Sequence, residues 1–407
     1  MASPLDGIRA IKDLPIENKR VFIRVDFNVP MEDGRVTDDT RIREAIPTIK
    51  HAMDRGAKVI LASHLGRPKK GPDPERSLVP AGERLAVHLG AEVHVPDDCI
   101  GDAAKKVIFD LRAGQVCLLE NLRFHAGEEK DDDTFAKALA DLAEVYVDDA
   151  FGAVHRKHAS VHAMARFFSE RGCGFLLEKE IAALGKLVTA PDSPYVAVLG
   201  GAKVSDKIAV VEALLEKVNV LLIGGAMANT FLAATGKDMR LSKVEGDKLA
   251  LARTLLEKAR AKNVEVLLPV DGVAAASFGA AEGTVVSVDS VPDKTMLLDI
   301  GPKTVELFAK KIATAKTVFW NGPMGIFEKP QFSKGTFGLA AALAESSAFT
   351  VVGGGDSAAA VHAAGADIAA KMKHISNGGG AALELIEGKK LPGIEVLRST
   401  TVTGGAN

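Results

Sequence analysis

The stretch Val196-Ala197-Val198-Leu199-Gly200-Gly201-Ala202-Lys203-Val204-Ser205-Asp206-Lys207 decides the fold of the second half of this chain. Its four consecutive apolar residues are typical of a strand buried on both faces, as in a parallel sheet. Two glycines follow at once, and at such a turn glycine lets a phosphate approach the N–H groups of a helix N-terminus. Because Lys203 and Lys207 lie four apart, we expect both on one face of a starting helix, directed at one phosphate chain.

Further runs of the same kind occur along the whole chain. They alternate with longer Ala/Leu/Lys/Glu stretches at helical spacing, which is the pattern of strands and covering helices in a parallel sheet. The runs are Val21–Val25, Lys58–Ala62, Val116–Leu119, Val145–Val147, Val220–Ile223, Val264–Leu268, Thr317–Trp320 and Phe349–Val352. The pattern predicts an α/β protein with doubly wound parallel sheets, in which ligands bind beyond the carboxyl ends of the strands.

The length of 407 residues predicts two domains. A boundary falls near Gly172–Gly174, after which Ile181, Leu184 and Val188 mark a short linking helix that ends before Pro191. We therefore predict two Rossmann-like domains facing a cleft: one over residues 1–172, and a second that begins at residue 173 with the linking helix.

Composition excludes several classes of protein. The net charge is −2, so no bulk field attracts nucleic acid or an anionic membrane. The three cysteines are far apart in sequence and form neither a metal-ligand spacing nor a disulfide framework, which indicates the reducing cytoplasm. The N-terminal residues include charged side chains, so we expect no signal peptide, and no uncharged apolar stretch is long enough for a membrane span.

The strand ends of the first half offer cations. Arginine donates two parallel hydrogen bonds to a carboxylate or phosphate, so several arginines at neighbouring strand ends predict an anion site. Asp26 and Asn28 are suited to a substrate hydroxyl. The segments concerned are Arg24–Pro30, Ser63–Pro68, Glu120–Phe124, Asp148–Gly152 and His155–His158, with Arg41 after the first strand.

The strand ends of the second half offer backbone N–H groups instead. Asp356 is suited to a magnesium ion, which prefers hard oxygen ligands, and Ser357 to a phosphate oxygen. There is no Walker sequence. The segments are Gly200–Lys207, Gly224-Gly225, Asn321–Gly325 with Glu328 soon after, Gly353–Ser357, and Ser376–Ala381.

Two other functions also fit parts of this pattern. Gly353, Gly355 and Ala358 match a dinucleotide fingerprint, which would indicate an NAD-dependent dehydrogenase. That fingerprint expects an acidic residue about 20 positions further on, and the segment 373–377 contains none. The second alternative is a two-domain module that binds a ligand without turnover, which explains the arginines but not the lysine pair beside Asp356.

The motifs taken together resemble the phosphoglycerate kinase family. The resemblance rests on Arg24–Pro30, Ser63–Pro68, Leu119–Phe124, Gly200–Lys207, Trp320–Pro323 and Gly353–Ser357, in the family's order and over essentially the whole chain. Two departures occur: Ser376-Asn377 stands where the family usually has Ser-Thr, and Gly152-Ala153-Val154 where it more often has a Thr-Ala pair.

The resemblance implies reversible, magnesium-dependent phosphoryl transfer between 1,3-bisphosphoglycerate and ADP, giving 3-phosphoglycerate and ATP. The implied 3-phosphoglycerate residues are Arg24, Asp26, Phe27, Asn28, Arg41, His64, Leu65, Gly66, Arg67, Arg123 and Arg156. The implied nucleotide residues are Gly201, Lys207, Gly225, Asn321, Pro323, Glu328, Gly354, Gly355, Asp356 and Ser357, with Asp356 also holding the metal. The implied transfer residues are Arg41, Lys203 and the backbone of Gly378–Gly380, in particular Gly379 and Gly380.

The resemblance also implies a monomer whose domains close around the two ligands, with a hinge near Glu178–Leu187. The second domain would then end at 377, and the segment 378–407 would return to the first domain, through Leu391–Asn407. Since the acceptor carboxylate is already ionised near neutral pH, no general base is required, and His64 would bind substrate without carrying a proton.

Overall fold

The computed structural model describes residues 5–69 and 71–398 and divides into two compact units. The first unit ends at Ala182 and resumes at Lys390, and the second comprises Ala183–Lys389. The sequence-based boundaries were 172 and 377. The helix Gly380–Ile386 belongs to the second unit because it packs on a helix of that unit, whereas Gly393 N donates to Val154 O of the first unit (2.9 Å). Of the predicted return over Leu391–Asn407, residues 399–407 lie outside the described residues.

The first unit contains a six-stranded, fully parallel sheet in the order β5-β6-β4-β1-β7-β8 and a separate hairpin of β2 and β3. Its strands are β1 (Arg20–Arg24), β2 (Met31–Glu32), β3 (Arg35–Val36), β4 (Lys58–Ala62), β5 (Val93–His94), β6 (Val116–Leu118), β7 (Val145–Asp148) and β8 (Arg171–Cys173). Its helices are α1 (Thr40–Asp54), α2 (Val79–Leu89), α3 (Gly101–Asp110), α4 (Asp133–Ala140) and α5 (Phe175–Thr189), the last of which runs into the second unit.

The second unit contains a parallel sheet in the order β11-β10-β9-β15-β16-β17 and an antiparallel sheet in the order β13-β12-β14. The strands are β9 (Tyr195–Leu199), β10 (Val220–Ile223), β11 (Glu265–Leu267), β12 (Asp271–Ala275), β13 (Thr284–Ser287), β14 (Met296–Ile300), β15 (Thr317–Asn321), β16 (Phe349–Gly353) and β17 (His374–Ser376). The helices are α6 (Ile208–Leu215), α7 (Gly225–Ala234), α8 (Leu249–Ala261), α9 (Pro302–Ala313), α10 (Lys334–Glu345), α11 (Gly355–Ala364), α12 (Ala366–Lys371) and α13 (Gly380–Ile386); α14 (Pro392–Glu395) belongs to the first unit.

Local sequence explains several of these boundaries. Helix α4 begins after Asp132, whose carboxylate accepts a hydrogen bond from Phe135 N (2.8 Å) and so caps a free N–H of the first turn. Helix α2 ends at Gly90, which takes the left-handed conformation (φ +64°) that glycine adopts without strain. Helix α9 begins with Pro302, and the buried Asp271 accepts from the N–H of Thr304 (2.8 Å) in its first turn.

Each parallel sheet is buried on both faces within its own unit. In β1, Val21, Phe22 and Ile23 are all fully buried, although they point alternately to opposite faces, and β9 is buried along its whole length. This accounts for the unbroken apolar runs that predicted the strands. The two doubly wound sheets are confirmed by the structure, whereas the antiparallel sheet of the second unit was not predicted.

No helix in the described ranges combines the length and the apolar character that crossing a bilayer requires.

Candidate active site

In the first unit, the predicted anion site lies where the direction of the chain across the sheet reverses. Strand β1 pairs with β4 on one side and β7 on the other, and its last residue Arg24 is opposite both Ala62 and Asp148. The segments that follow these strands therefore begin side by side at one edge of the sheet. In doubly wound sheets, this edge at the reversal point is where ligands bind.

Arg24 is the most buried cation of this site. Its side chain is fully buried, and its Nε donates to Ser160 Oγ (2.9 Å) while Nη1 donates to Val25 O. Nη2 lies 3.1 Å from Nδ1 of His64. A guanidinium held at each nitrogen keeps one orientation, which favours recognition of a planar anion.

His64 is neutral at physiological pH in the free protein. Burial lowers its pKa well below the ordinary value, and the positive charges of Arg24, Arg123 and Arg156 lower it further, against the attraction of Asp26. For Asp26, burial alone would raise the pKa, but the positive charges of Arg41 and Arg24 and the hydrogen bond from Asn28 N outweigh it, so the pKa is lowered. The site thus presents an ionised Asp26 among cations, and a histidine that is suited to hydrogen bonding rather than to proton transfer.

Hydrogen bonds and an ion pair link several more of the predicted residues. Asn28 Oδ1 accepts from Gly66 N (2.8 Å), and Gly66 O accepts from Arg123 Nη1 (2.6 Å). Arg41 forms an ion pair with Asp26 at 2.6 Å and remains about a third exposed. The structure therefore brings residues from three different strand ends and from α1 into one cluster.

The other predicted residues of this unit differ in what they can contribute. The side chains of Phe27 and Leu65 pack in the core, so only their backbone faces the site, and Phe27 N donates to Ser63 Oγ (2.8 Å). Arg156 is partly buried and donates from Nε to His155 Nε2 (3.3 Å). Arg67 is exposed, and within the described ranges no hydrogen bond or ion pair holds its guanidinium, which leaves it able to bind a ligand.

Sequence reasoning missed the residues that support this cluster. Glu128 is fully buried and accepts from both the N–H (2.9 Å) and the hydroxyl (2.6 Å) of Ser160, which in turn accepts from Arg24. Tyr146 donates its hydroxyl to Ser160 O (2.8 Å). Ser160 lies in a π-helical turn, Ala159–Ala163, and no local sequence signal reveals that this turn approaches the end of β1.

In the second unit, the glycine-rich ends of β9 and β15 meet at the corresponding reversal point. Gly200 N donates to Asn321 O (2.9 Å) and Gly201 N donates to Pro323 O (3.0 Å). Gly322 has φ +96°, and a Cβ on it would collide with the backbone of Gly200. Glycine is required here because two turns of the backbone touch, and this contact fixes the floor of the neighbouring cavity.

A cavity of about 370 Å³ opens beside these turns. Its lining is mostly apolar with a few polar groups, which is the usual character of a small-molecule site. Five of the predicted nucleotide residues line it: Gly201, Gly225, Pro323, Glu328 and Asp356. The far wall comes from the antiparallel sheet, through Gly272, Met296 and Leu297, with Phe278, Asn229 and Lys243 nearby. Sequence reasoning missed this wall because it missed that sheet.

The two predicted lysines are placed differently from expectation. The expectation that Lys203 and Lys207 share one face of a starting helix was wrong. After Gly201 the chain forms a loop containing Lys203, then a single 3-10 turn, Ser205–Lys207, and α6 begins only at Ile208. Lys203 is exposed, whereas Lys207 is partly buried and donates to Asn321 Oδ1. Burial lowers the pKa of Lys207 to about 8, against the attraction of Asp356 and Asp206.

Three glycine-rich segments open helices at this edge, as predicted. Gly354 precedes α11 (φ +94°), and Gly355 and Asp356 form its first turn. Gly379 precedes α13 (φ +53°), which begins at Gly380, and Gly224 precedes α7. The hydroxyl of Ser357 accepts from Gly322 N (2.6 Å) and joins two of the turns. Unpaired N–H groups and the helix dipole at such N-termini favour phosphate.

The acidic group at this edge fits a divalent metal that arrives with a nucleotide. Asp356 is exposed, lines the cavity and lies close enough to Lys207 to act on its pKa. Magnesium usually takes one or two carboxylates and completes its shell with water and phosphate oxygens. An accessible carboxylate beside glycine-rich helix N-termini meets that requirement.

The first unit carries Arg24, Arg123 and Arg156 around His64, called the arginine cluster below. The second has an apolar cavity beside glycine-rich helix N-termini. Two doubly wound units with these features are the arrangement expected of a kinase that acts on a small anionic acid. Comparison with known proteins narrows the class. The profile of the family "Phosphoglycerate kinase" matches residues 11–389. The chain belongs to the phosphoglycerate kinase family.

Individual relatives agree with this assignment. A phosphoglycerate kinase from Anaeromyxobacter sp. (strain Fw109-5) is 57% identical over 395 residues, covering 96% of this chain and 99% of the relative. The structure of phosphoglycerate kinase from Coxiella burnetii superimposes with a TM-score of 0.88 at 41% identity, covering 96% and 98% of the two chains. That of the kinase from Pyrococcus horikoshii OT3 gives a TM-score of 0.81 at 33% identity, covering 95% and 98%.

Membership makes the chain a transferase of glycolysis that moves a phosphoryl group reversibly between 1,3-bisphosphoglycerate with ADP and 3-phosphoglycerate with ATP. The family acts on small molecules and uses a nucleotide with a divalent metal. The dehydrogenase and the non-catalytic module are therefore excluded.

Proposed function

We propose that the arginine cluster of the first unit binds 3-phosphoglycerate, so that this unit, and not the segment 1–172 alone, forms the acid-binding domain. The positive charges of Arg24, Arg123 and Arg156 all act on His64 and add to the effect of burial, which is the main cause of its lowered pKa. The exposed Arg67 adds an unengaged guanidinium, and Asp26 and Asn28 can hydrogen-bond the substrate hydroxyl.

The second unit binds the nucleotide in the cavity of about 370 Å³, with its phosphates toward the first turns of α11 and α13. Gly201, Gly225 and Pro323 line this cavity, and Asn321 O accepts from Gly200 N beside it (2.9 Å). The exposed carboxylate of Glu328 accepts hydrogen bonds from the ribose hydroxyls. Lys207, Gly354, Gly355 and Ser357 lie toward the phosphates. Magnesium is the metal, and Asp356 holds it.

The transfer itself needs positioning and charge neutralisation rather than a general base. The accepting carboxylate is ionised at neutral pH, so it has no proton to give up and the neutral His64 is not needed as a base. Arg41, Lys203 and the N–H groups of Gly379 and Gly380 neutralise charge on the phosphoryl group during direct in-line transfer. We expect Lys203→Ala to lower kcat by orders of magnitude with a smaller effect on substrate binding, and unchanged turnover would remove Lys203 from the mechanism.

Because the acid and the nucleotide are assigned to different units, the reaction requires the units to bring them together and to exclude water. We place the hinge in α5, near Glu178–Leu187. Small-angle scattering would show compaction when both ligands bind, and an unchanged radius of gyration would contradict closure. The protein acts as a cytoplasmic monomer and binds no nucleic acid. Sedimentation of the free protein tests whether it is a monomer.

The observation that carries the proposal is the cluster of arginines around the neutral His64. Arg67→Ala tests it most cleanly, because no hydrogen bond or ion pair among the described residues involves the exposed Arg67 side chain. Loss of charge-assisted hydrogen bonds worth about 1.5–3 kcal/mol should raise the KM for 3-phosphoglycerate about 10- to 100-fold and leave the KM for ATP unchanged. The matched control is Arg112→Ala, an exposed arginine before the amino end of β6. Equal effects of both variants would refute the assignment.

A further inference from the structure

A second group of chemically active side chains lies in the first unit, on the neighbouring pair of strands β5 and β6. These strands are parallel, with Val93 opposite Val116 and His94 opposite Cys117. Asp98 and Cys99 follow β5, before α3, and His125 follows β6 after one 3-10 turn. Adjacent parallel strands end at the same edge of the sheet, which explains why residues 26 positions apart in sequence meet.

The three side chains are arranged around one point. One ligand atom from each, Asp98 carboxylate O, Cys99 Sγ and a ring nitrogen of His125, lies within 4.8 Å of the others. Nε2 of His125 is 2.6 Å from Oδ1 of Asp98, and the ring stacks on Phe135 with centroids 5.1 Å apart. The histidine is thus fixed from two sides. Cys99 is fully buried, while Asp98 and His125 are partly exposed and give access from solvent.

The donor set is that of a transition metal. Thiolate, imidazole and carboxylate are the three ligand types that zinc takes in proteins, and three protein ligands leave a fourth position for water. Magnesium and calcium prefer oxygen ligands alone, so this site is chemically separate from the metal of the nucleotide. We propose that Asp98, Cys99 and His125 form a binding site for one zinc-type divalent cation per chain.

Binding of the cation must displace protons. His125 would bind the metal through Nε2 as the neutral imidazole, with its one ring hydrogen on Nδ1. Cys99 binds only as the thiolate, so the thiol proton leaves to solvent. The hydrogen bond between Cys99 N and Asp98 Oδ1 (2.6 Å) holds the loop in place before the metal arrives.

The site adjoins the support of the arginine cluster. His125 O accepts from Glu128 N (3.1 Å), and the carboxylate of Glu128 holds Ser160, which binds Arg24. A cation that fixes His125 therefore also restrains the turn that carries Glu128. This connection explains how occupation of the site would reach the acid-binding cluster without competing for its residues.

Cobalt(II) titration of the full chain, reduced and without nucleotide or acid, tests the proposal. Cobalt reports the ligand type, because a thiolate gives a near-ultraviolet charge-transfer band that oxygen and nitrogen ligands do not give. We expect one equivalent of cobalt to produce this band and one equivalent of zinc to remove it. In Cys99→Ser the band should be absent. In His125→Gln the affinity for cobalt should fall by at least about 100-fold, because losing a residue that only supports a metal ligand already lowers affinity by up to about 100-fold.

The matched controls are Cys117→Ser and Cys173→Ser, because both cysteines are buried like Cys99 but neither belongs to a group of three such ligands among the described residues. Both should keep the band. If the wild-type chain shows no thiolate band at excess cobalt, or if the band survives in Cys99→Ser, the proposal is wrong. Far-ultraviolet circular dichroism checks that each variant is folded. If Cys99→Ser is not folded, the cobalt affinity of His125→Gln decides whether the cation binds at this site.

Discussion

Removal of the Ser160 hydroxyl should weaken both the first unit and its binding of acid. The hydroxyl lies between two fully buried charges: it accepts from Nε of Arg24 at 2.9 Å and donates to Oε1 of Glu128 at 2.6 Å. In Ser160→Ala both groups lose a hydrogen bond and remain buried. The remaining bond of Glu128, from Ser160 N at 2.9 Å, does not change.

The size of the effect follows from the charges. A hydrogen bond to a charged group contributes about 1.5–3 kcal/mol, so the loss of two costs about 3–6 kcal/mol of unfolding free energy. This is a large part of the roughly 5–15 kcal/mol that stabilises a typical domain. Since Arg24 also loses one of the contacts that fix its guanidinium, we expect the KM for 3-phosphoglycerate to rise at least about tenfold, equivalent to about 1.4 kcal/mol.

The assay must distinguish the two units. The chain has one tryptophan, Trp320, which is buried in the second unit, so its fluorescence does not report on Ser160 directly. Hydrogen exchange of peptides from β1 and β7 follows the unfolding of the first unit in denaturant. The matched control is Ser242→Ala, because within residues 5–69 and 71–398 the one hydrogen bond of the buried Ser242 Oγ is neutral, from Leu297 N (2.9 Å), and is worth about 0.5–1.5 kcal/mol.

Equal losses of stability in Ser160→Ala and Ser242→Ala would refute the reasoning. Such a result would mean that water replaces the hydroxyl between Arg24 and Glu128. An unchanged KM for the acid, with the stability loss present, would show instead that Arg24 keeps its orientation without Ser160.

Three further predictions concern other parts of the chain. Because burial lowers the pKa of Lys207 to about 8, this lysine loses its charge as pH rises through 8, and nucleotide affinity measured by calorimetry should fall about tenfold per pH unit above 8. Lys207→Arg should flatten this pH dependence, and an equal slope in both proteins would contradict the prediction. Gly322→Ala should lower the free energy of unfolding by at least about 1–3 kcal/mol, because Gly322 has φ +96° and an added Cβ would meet the backbone of Gly200. The fluorescence of Trp320, whose Nε1 donates to Gly322 O (2.8 Å), follows the unfolding. Gly355→Ala is the control, because an added Cβ there has open space and should leave stability unchanged. Asp132→Ala should lower the stability of α4 by about 1 kcal/mol, because it removes the N-terminal cap of that helix, and hydrogen exchange should become faster in α4 alone. Unchanged exchange would mean that water caps Phe135 N equally well.

The sequence predicted the parallel sheets well because their strands are buried on both faces and so appear as unbroken apolar runs. Strand β10 was predicted with its observed bounds, Val220–Ile223. Strands β5 and β17 were missed because they have only two and three residues and include histidine. Strand β13 was missed because three of its four residues are exposed, so no apolar run marks it.

The charged residues of the candidate site were predictable because the ends of parallel strands lie at one edge of a sheet wherever the helices go. Arg24 and His64 meet for this reason, although 40 positions separate them. The groups that support them were not predictable. Glu128 and Ser160 lie in turns whose position depends on packing against β1 and β7, and no periodicity in the sequence encodes such a contact. For the same reason the cavity wall formed by the antiparallel sheet was missed.

The most direct test of the account follows both products of the reverse reaction. The protein is mixed with ATP, magnesium and 3-phosphoglycerate, and hydroxylamine traps any acyl phosphate as a hydroxamate. We predict equal amounts of ADP and hydroxamate, formed only when all three components are present, with Arg67→Ala requiring a higher acid concentration for the same rate. ADP without hydroxamate, or hydroxamate formation that is insensitive to Arg67, would contradict transfer to a carboxylate held by the arginine cluster.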